Sequence, residues 1–390
     1  MSNLTPDIDC SDLSVGYRYA TKLSVADTVV PAAPREVEME FGVTVAKVDD
    51  VGLAKHAENL GYHFVWATDS PLIRSNPWAV LALAAQQTQT IRLGTGLEIG
   101  ALRLAPETAN GIATINRLAP GRTFLGVGTG NTAMRTLGQR PMRVTQFREH
   151  IRVVRALLNG EEVDYTMNGV THPIRFQNLH YKYIDVDNHI PIHVGGFGPK
   201  AQALAGELGD GLVTGIPRGG TIPQALANVQ RGADRIGRKL ENFYTSALVN
   251  LLLLDPGDKL TDDHVIAQCG SSIMVNVHFA VELVKETGCE PPHYVQPIWE
   301  EYMAFHQSRA AETRHQKLHA SHYSHLDPEE ARFVTPDLIK AFCIAGQPEE
   351  IVEQLRELEK QGLNAISFIA PEDQRYRSIE DFSRRVMDKM

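Results

Sequence analysis

From Met39 onward, short apolar runs alternate with stretches in which apolar residues recur at helical spacing. The runs predict strands at "MEFGVTVA" (39–46), "HFVWATDS" (63–70) and "IRLGTGLEIG" (91–100), and a fourth that starts at Phe124 in "FLGVGTGNTAMRTLG" (124–138). Four more follow at "IPIHVGGFG" (190–198), "GLVTGIP" (211–217), "YTSALVNLLLL" (244–254) and "NAISFIAP" (364–371). Helices are expected between them. The segment 48–61 carries Leu53, Ala57 and Leu60 on one face and stops at Gly61, while 76–89 is opened by Asn76 and Pro77. Further helices fall at 106–119, 147–160, about 199–208, 222–238 and 348–362, and residues 161–185 read as a hairpin laid over the body.

Eight strands alternating with helices predict an α/β fold, a (β/α)8 TIM barrel, ahead of a Rossmann-like open sheet. Residues 1–38 lack periodicity and read as an N-terminal arm on a barrel spanning 39–390. Residues 257–340 break the alternation and are too long for a plain connection. They predict a long, mostly helical insertion after strand seven, placed as a lid over the barrel mouth. A net charge of −9 in 390 residues argues against nucleic acid or an acidic membrane as partner. The first twenty residues lack a signal-peptide pattern, so a cytoplasmic location is expected. Four widely spaced cysteines without C-x-x-C suggest neither a disulfide framework nor a zinc knuckle.

Glycines gather where the strands end. Gly126, Gly128 and Gly130 follow a G-x-G-x-G spacing that differs from a dinucleotide fingerprint. By itself it fits either a tight structural turn or a cofactor seat. "GTGL" (94–97), "TDSP" (68–71), "GGFGPK" (195–200) and "GIPRGG" (215–220) reach the same end of the barrel, where chemistry resides in this fold. Gly195, Gly196 and Gly198, just ahead of a helix near Pro199, form an expected anion site, with Arg218 as a charged partner.

"RTFLGVGTGN", "IPIHVGGFGPKAQALAGELGDGLVTG" and "GQPEEIVEQLRELEKQGLNAISF" resemble the bacterial-luciferase-like superfamily over roughly residues 39–255 and 341–371. That group holds FMN-dependent monooxygenases and oxidoreductases that use the deazaflavin coenzyme F420. The resemblance implies an isoalloxazine ring in the barrel mouth, bordered by Asp69 and Ser70 on its polar edge. It implies a non-prolyl cis peptide or bulge at Gly96–Leu97 under the ring, and Thr129 and Asn131 at the ring or its ribityl chain. Gly195, Gly196, Phe197, Gly198 and Arg218 would hold the phosphate. Asp69, Ser70 and Asn131 are the positions expected to act in catalysis.

Two positions depart from the pattern of F420-dependent sugar-phosphate dehydrogenases, which carry glutamate where this chain has Asn131 and histidine where it has Ser70. Those groups move protons in alcohol oxidation. Their absence favours a two-component monooxygenase that acts on a small organic substrate with O2 and reduced FMN from a separate flavin reductase. An F420-dependent reductase or dehydrogenase is the alternative, and a flavin-binding barrel without catalysis a minor one. A homodimer or homotetramer is expected from the resemblance. In the insertion, His315, His319 and His322 fall at i, i+4 and i+7; a solvated or substrate-facing helix is favoured over a metal site. One of them, or His278 or His293, is a candidate acid or base.

Overall fold

The computed structural model describes residues 38–216 and 220–390, so residues 1–37 of the arm and Arg218 lie outside the described residues. Twelve strands follow in chain order: β1 (Glu40–Val45), β2 (Phe64–Ala67), β3 (Arg92–Thr95), β4 (Glu98–Ile99), β5 (Thr123–Gly128), β6 (Val163–Met167), β7 (Val170–Ile174), β8 (Ile192–Gly195), β9 (Gly211–Gly215), β10 (Tyr244–Leu253), β11 (Cys343–Gly346) and β12 (Ala365–Phe368). Eight of them pair in parallel in the order β10, β12, β1, β2, β3, β5, β8, β9, and β9 returns to β10. The closing register sets Gly211 beside Tyr244 and Ser246 beside Ala365. This is the expected TIM barrel. β6 and β7 form the separate antiparallel hairpin.

Large and small side chains alternate inside it. Gly42 faces the Phe64 ring, Gly94 faces Phe124 and Gly96 faces Trp66, so each bulky ring lies where the neighbouring strand has no side chain. At the end where the strands begin, Tyr244 and Arg92 both bond the Glu40 carboxylate. His193 is stacked there between Phe124 and Tyr244, with ring centroids 5.2 and 5.0 Å away. Burial and the Arg92 charge push the His193 imidazole down to about 4. Helices cover the outside with the faces their sequences predict. Leu53, Ala54 and Ala57 are buried on the helix Gly52–Asn59, and Asn76 caps the helix Pro77–Gln87 by accepting from Trp78 N at 3.0 Å.

Residues 257–340 hold the helices Asp263–Thr287, Gln296–Ser308 and Arg314–His319, and the helix Pro336–Phe342 begins at their end. They build a core of their own around Cys269, Ile273, Tyr302, Phe333 and Phe342, separate from the barrel core. Two arginines from strand ends tie this unit to the barrel. Arg74, after β2, donates to His322 O at 2.6 Å and Ser324 Oγ at 2.7 Å. Arg135, after β5, binds Glu282 and Glu286. The histidine stripe departs from its expected form. The helix ends at His319, and Tyr323 takes φ 54°, so His322 lies off the helix. His319 is buried rather than solvated, 3% exposed, with Nε2 3.9 Å from Glu282. His278 is buried too and meets the Glu330 carboxylate at 3.1 Å. Cys269 and Cys343 are free thiols.

Candidate active site

The segment 95–99 runs from the end of β3 to β4, which pairs with the end of β5. The Gly96–Leu97 peptide is cis, at the position the resemblance points to. Leu97 then turns its side chain across β5 and β8. Its methyl carbons lie 2.9 Å from where a Cβ on Gly126 or on Gly128 would stand, and closer still to one on Gly195. A Cβ on Gly126 would also strike the Thr95 carbonyl oxygen, and one on Gly130 would strike Ile99. The G-x-G-x-G series therefore makes room for residues 95–99 of the neighbouring segment. Only Gly130 also needs its left-handed backbone, at φ 82°. The first meaning of these glycines is internal packing.

Asp69 follows β2 and is buried. Arg103 grips both of its carboxylate oxygens, and Ile99 N donates to Oδ2 at 3.1 Å. It thereby fixes the loop that carries Leu97, and its oxygens are already engaged. Behind it lies Glu98, fully buried, whose Oε1 accepts from Thr108 Oγ1 at 2.9 Å. Burial pushes this carboxyl up to about 8, against the opposing pull of Thr108 and Arg103. Its Oε2 lies 3.9 Å from His150 Nε2, and neither atom has a hydrogen-bond partner. Burial lowers His150 to about 4.

Ser70 is half-buried, and its carbonyl accepts from Ile73 N and Arg74 N at 2.8 Å each. Thr129 is half-buried at the end of β5, where its carbonyl accepts from Met142 N at 3.0 Å. Asn131 opens the short helix Asn131–Thr136 and accepts on Oδ1 from Arg135 Nε at 2.6 Å. After β8, Gly195 and Gly196 are buried, and Gly198 caps the helix Pro199–Leu208 in an extended conformation. Nothing lies within 4 Å of a Cβ on Gly198, whereas one on Gly196 would press on Gln202 N at 2.9 Å. Phe197 is exposed and its ring covers Gly215. The open face at Gly198 stands at the N-terminus of the helix Pro199–Leu208, an end that suits a phosphate. On the β12 side a cleft of about 760 Å³ runs between the insertion and residues 371–374, lined by Ile266, Ser271, His325, Leu326 and Pro371.

Glu98, Arg103, Arg135 and His150 were not singled out from sequence. Glu98 carried a signal: a lone carboxylate in an apolar strand run has to find a buried partner. Arg135 and His150 sit on helices at spacings that read as ordinary polar faces, and Arg103 lies in the loop after β4.

The pattern of the family described as luciferase-like monooxygenase matches residues 42–365, and the chain belongs to that family. It is an oxidoreductase. The 5,10-methylenetetrahydromethanopterin reductase of Archaeoglobus fulgidus is 27% identical over 344 residues, covering 86% of this chain and 94% of that one. The coenzyme F420 dependent tetrahydromethanopterin reductase of Methanopyrus kandleri shares the fold with a TM-score of 0.66 at 20% identity, over 90% of this chain and 99% of that one. The oxygenating component of 3,6-diketocamphane monooxygenase from Pseudomonas putida, solved with FMN, superposes with a TM-score of 0.58 at 16% identity, over 90% and 99% of the two chains. Among the described residues, no helix is long and apolar enough to cross a membrane.

Proposed function

We propose that this enzyme is an F420-dependent reductase that acts on a small organic molecule at the barrel mouth. The reading is carried by the near full-length similarity to a methylenetetrahydromethanopterin reductase. Ser70 and Asn131 agree with it, because reduction of a C=C or C=N bond needs no histidine–glutamate pair of the kind used in alcohol oxidation. Reduced F420 would supply the hydride. The chain's own residues bind and orient. The Gly198 N–H and the N-terminus of the helix Pro199–Leu208 would hold the phosphate, and Leu97 would offer the ring an apolar floor. Asn131 donates from its amide, and Asp69 holds the floor in place through Ile99 N. The insertion keeps bulk water from the mouth. Arg218 remains a candidate partner for the phosphate.

A second reading, an FMN monooxygenase supplied by a separate flavin reductase, is supported by the same two departures at Ser70 and Asn131 and by the FMN-bound neighbour. Titration of the purified protein with F420 and with FMN, followed by absorbance, separates the two. Micromolar binding of F420 with weak binding of FMN is expected. The opposite order would replace the first reading by the second.

A further inference from the structure

The insertion reaches the proposed cofactor through one side chain. Arg135 is 8% exposed and spends four of its five N–H groups on three partners. Nε donates to Asn131 Oδ1 at 2.6 Å. Nη1 donates to Glu282 Oε2 at 2.9 Å and to Glu286 Oε1 at 2.6 Å, and Nη2 donates to Glu286 Oε2 at 2.8 Å. Both carboxylates belong to the long insertion helix Asp263–Thr287. A guanidinium only donates, so the atom of Asn131 that faces it must be the carbonyl oxygen. The fork is held by two carboxylates in a nearly dry setting, where charge-assisted bonds are strongest. Nδ2 of Asn131 has no partner among the described residues.

We propose that Arg135 is a positioning residue: clamped by Glu282 and Glu286 of the insertion, it fixes the Asn131 amide so that its NH2 is the free group. Asn131 then acts as an obligate donor and selects a hydrogen-bond acceptor on the bound molecule. That the molecule is F420 or a flavin rests on the function proposed above; the fixing of the amide does not. A glutamate at this position would instead pair with Arg135 and leave no donor.

Cofactor titrations of wild type, Arg135→Lys, Arg135→Gln and Asn131→Asp, each with a thermal melt, test the assignment. Arg135→Gln and Asn131→Asp are expected to weaken binding by about tenfold or more and to shift the absorption of the bound cofactor. Arg135→Lys, which keeps the charge without the Nε–H, should recover the melting temperature more than the affinity. Asn131→Asp should melt no lower than wild type, because its carboxylate still pairs with Arg135. Lower melts with unchanged affinity and spectra in both Arg135 variants would overturn the proposal and leave Arg135 a plain structural tie. If wild type binds neither F420 nor FMN, the functional reading falls, and a crystal structure of Arg135→Gln decides the positioning separately. A reoriented Asn131 amide supports it, and an unmoved one overturns it.

Discussion

Leu97 and Gly128 fit as ridge and groove: a leucine methyl carbon lies 2.9 Å from the point where a side chain on Gly128 would begin. The same ridge crosses Gly126 and Gly195, so β5 and β8 are shaped around one residue. Gly126→Ala pushes against a backbone carbonyl that cannot yield, and should cost about 1–3 kcal/mol in urea unfolding. Gly198→Ala meets open space and should leave stability within about 0.5 kcal/mol. Cofactor affinity should nonetheless fall several-fold at Gly198 if phosphate rests there. Substitution at Gly196 is a poorer probe, since it displaces the first helical turn as well. Equal costs at Gly126 and Gly198 would contradict this account of the glycine series.

Asp69→Asn tests whether that carboxylate is a structural anchor. Arg103 keeps Glu98 and Glu107 nearby, 3.6 Å from each, so the loss should sit at the low end of the range for a broken buried pair, about 3 kcal/mol. A change under about 1 kcal/mol would mean that Asp69 is not needed for packing and is free for chemistry.

His193 should make the protein acid-sensitive. Its folded value near 4 lies below the ordinary 6.5, so the unfolded chain takes up the proton first. The stability linked to the neutral ring is whole above pH 6.5 and is lost as pH falls toward 4. His193→Phe keeps the stack and removes the titration. Between pH 7 and pH 4 the stability difference should move toward the variant by about 1–3 kcal/mol. Parallel stability curves across this range would show that His193 does not titrate as described.

Glu98 runs the other way. Its folded value near 8 lies above the ordinary 4.5, so the linked stability is whole below 4.5 and is lost as pH rises through 8. Glu98→Gln preserves shape and the bond from Thr108. Unfolding midpoints at pH 5 and pH 8.5 should therefore shift relative to wild type, with the variant gaining by about 1–3 kcal/mol at the higher pH. An unchanged difference at the two pH values would place a charged Glu98 in the fold.

The barrel was legible because its strands are apolar runs separated by segments whose apolar residues recur at helical spacing. What escaped was local. The run 91–100 read as one strand, yet the chain breaks at Gly96–Leu97 into β3 and β4, because periodicity does not register a change of peptide geometry. β11 was missed because "CIAG" is four residues long and pairs with the outer half of β10, far away in sequence. The glycines were rightly noticed and incompletely explained, since a missing side chain records only that something approaches, not whether it is ligand or leucine. Asn131 was found from a resemblance. Arg135, four residues on, was not, because its partners lie in the segment the resemblance does not cover.

The insertion leaves after Leu253 and returns at Cys343, which pairs with Asn250 on the same strand β10. Leu253 at the end of β10 pairs with Gly346 at the end of β11, and Leu254 N donates back to Gly346 O at 2.9 Å. Barrel closure lies upstream of this seam, at Ser246–Val249. The entropy of closing a loop depends only weakly on its length, about 0.6 kcal/mol for each doubling. Residues 254–342 are thus an interchangeable cartridge with a fixed socket. Such a segment can lengthen or shorten at little entropic cost while the barrel closes without it, so long as the helix that carries Glu282 and Glu286 still reaches Arg135.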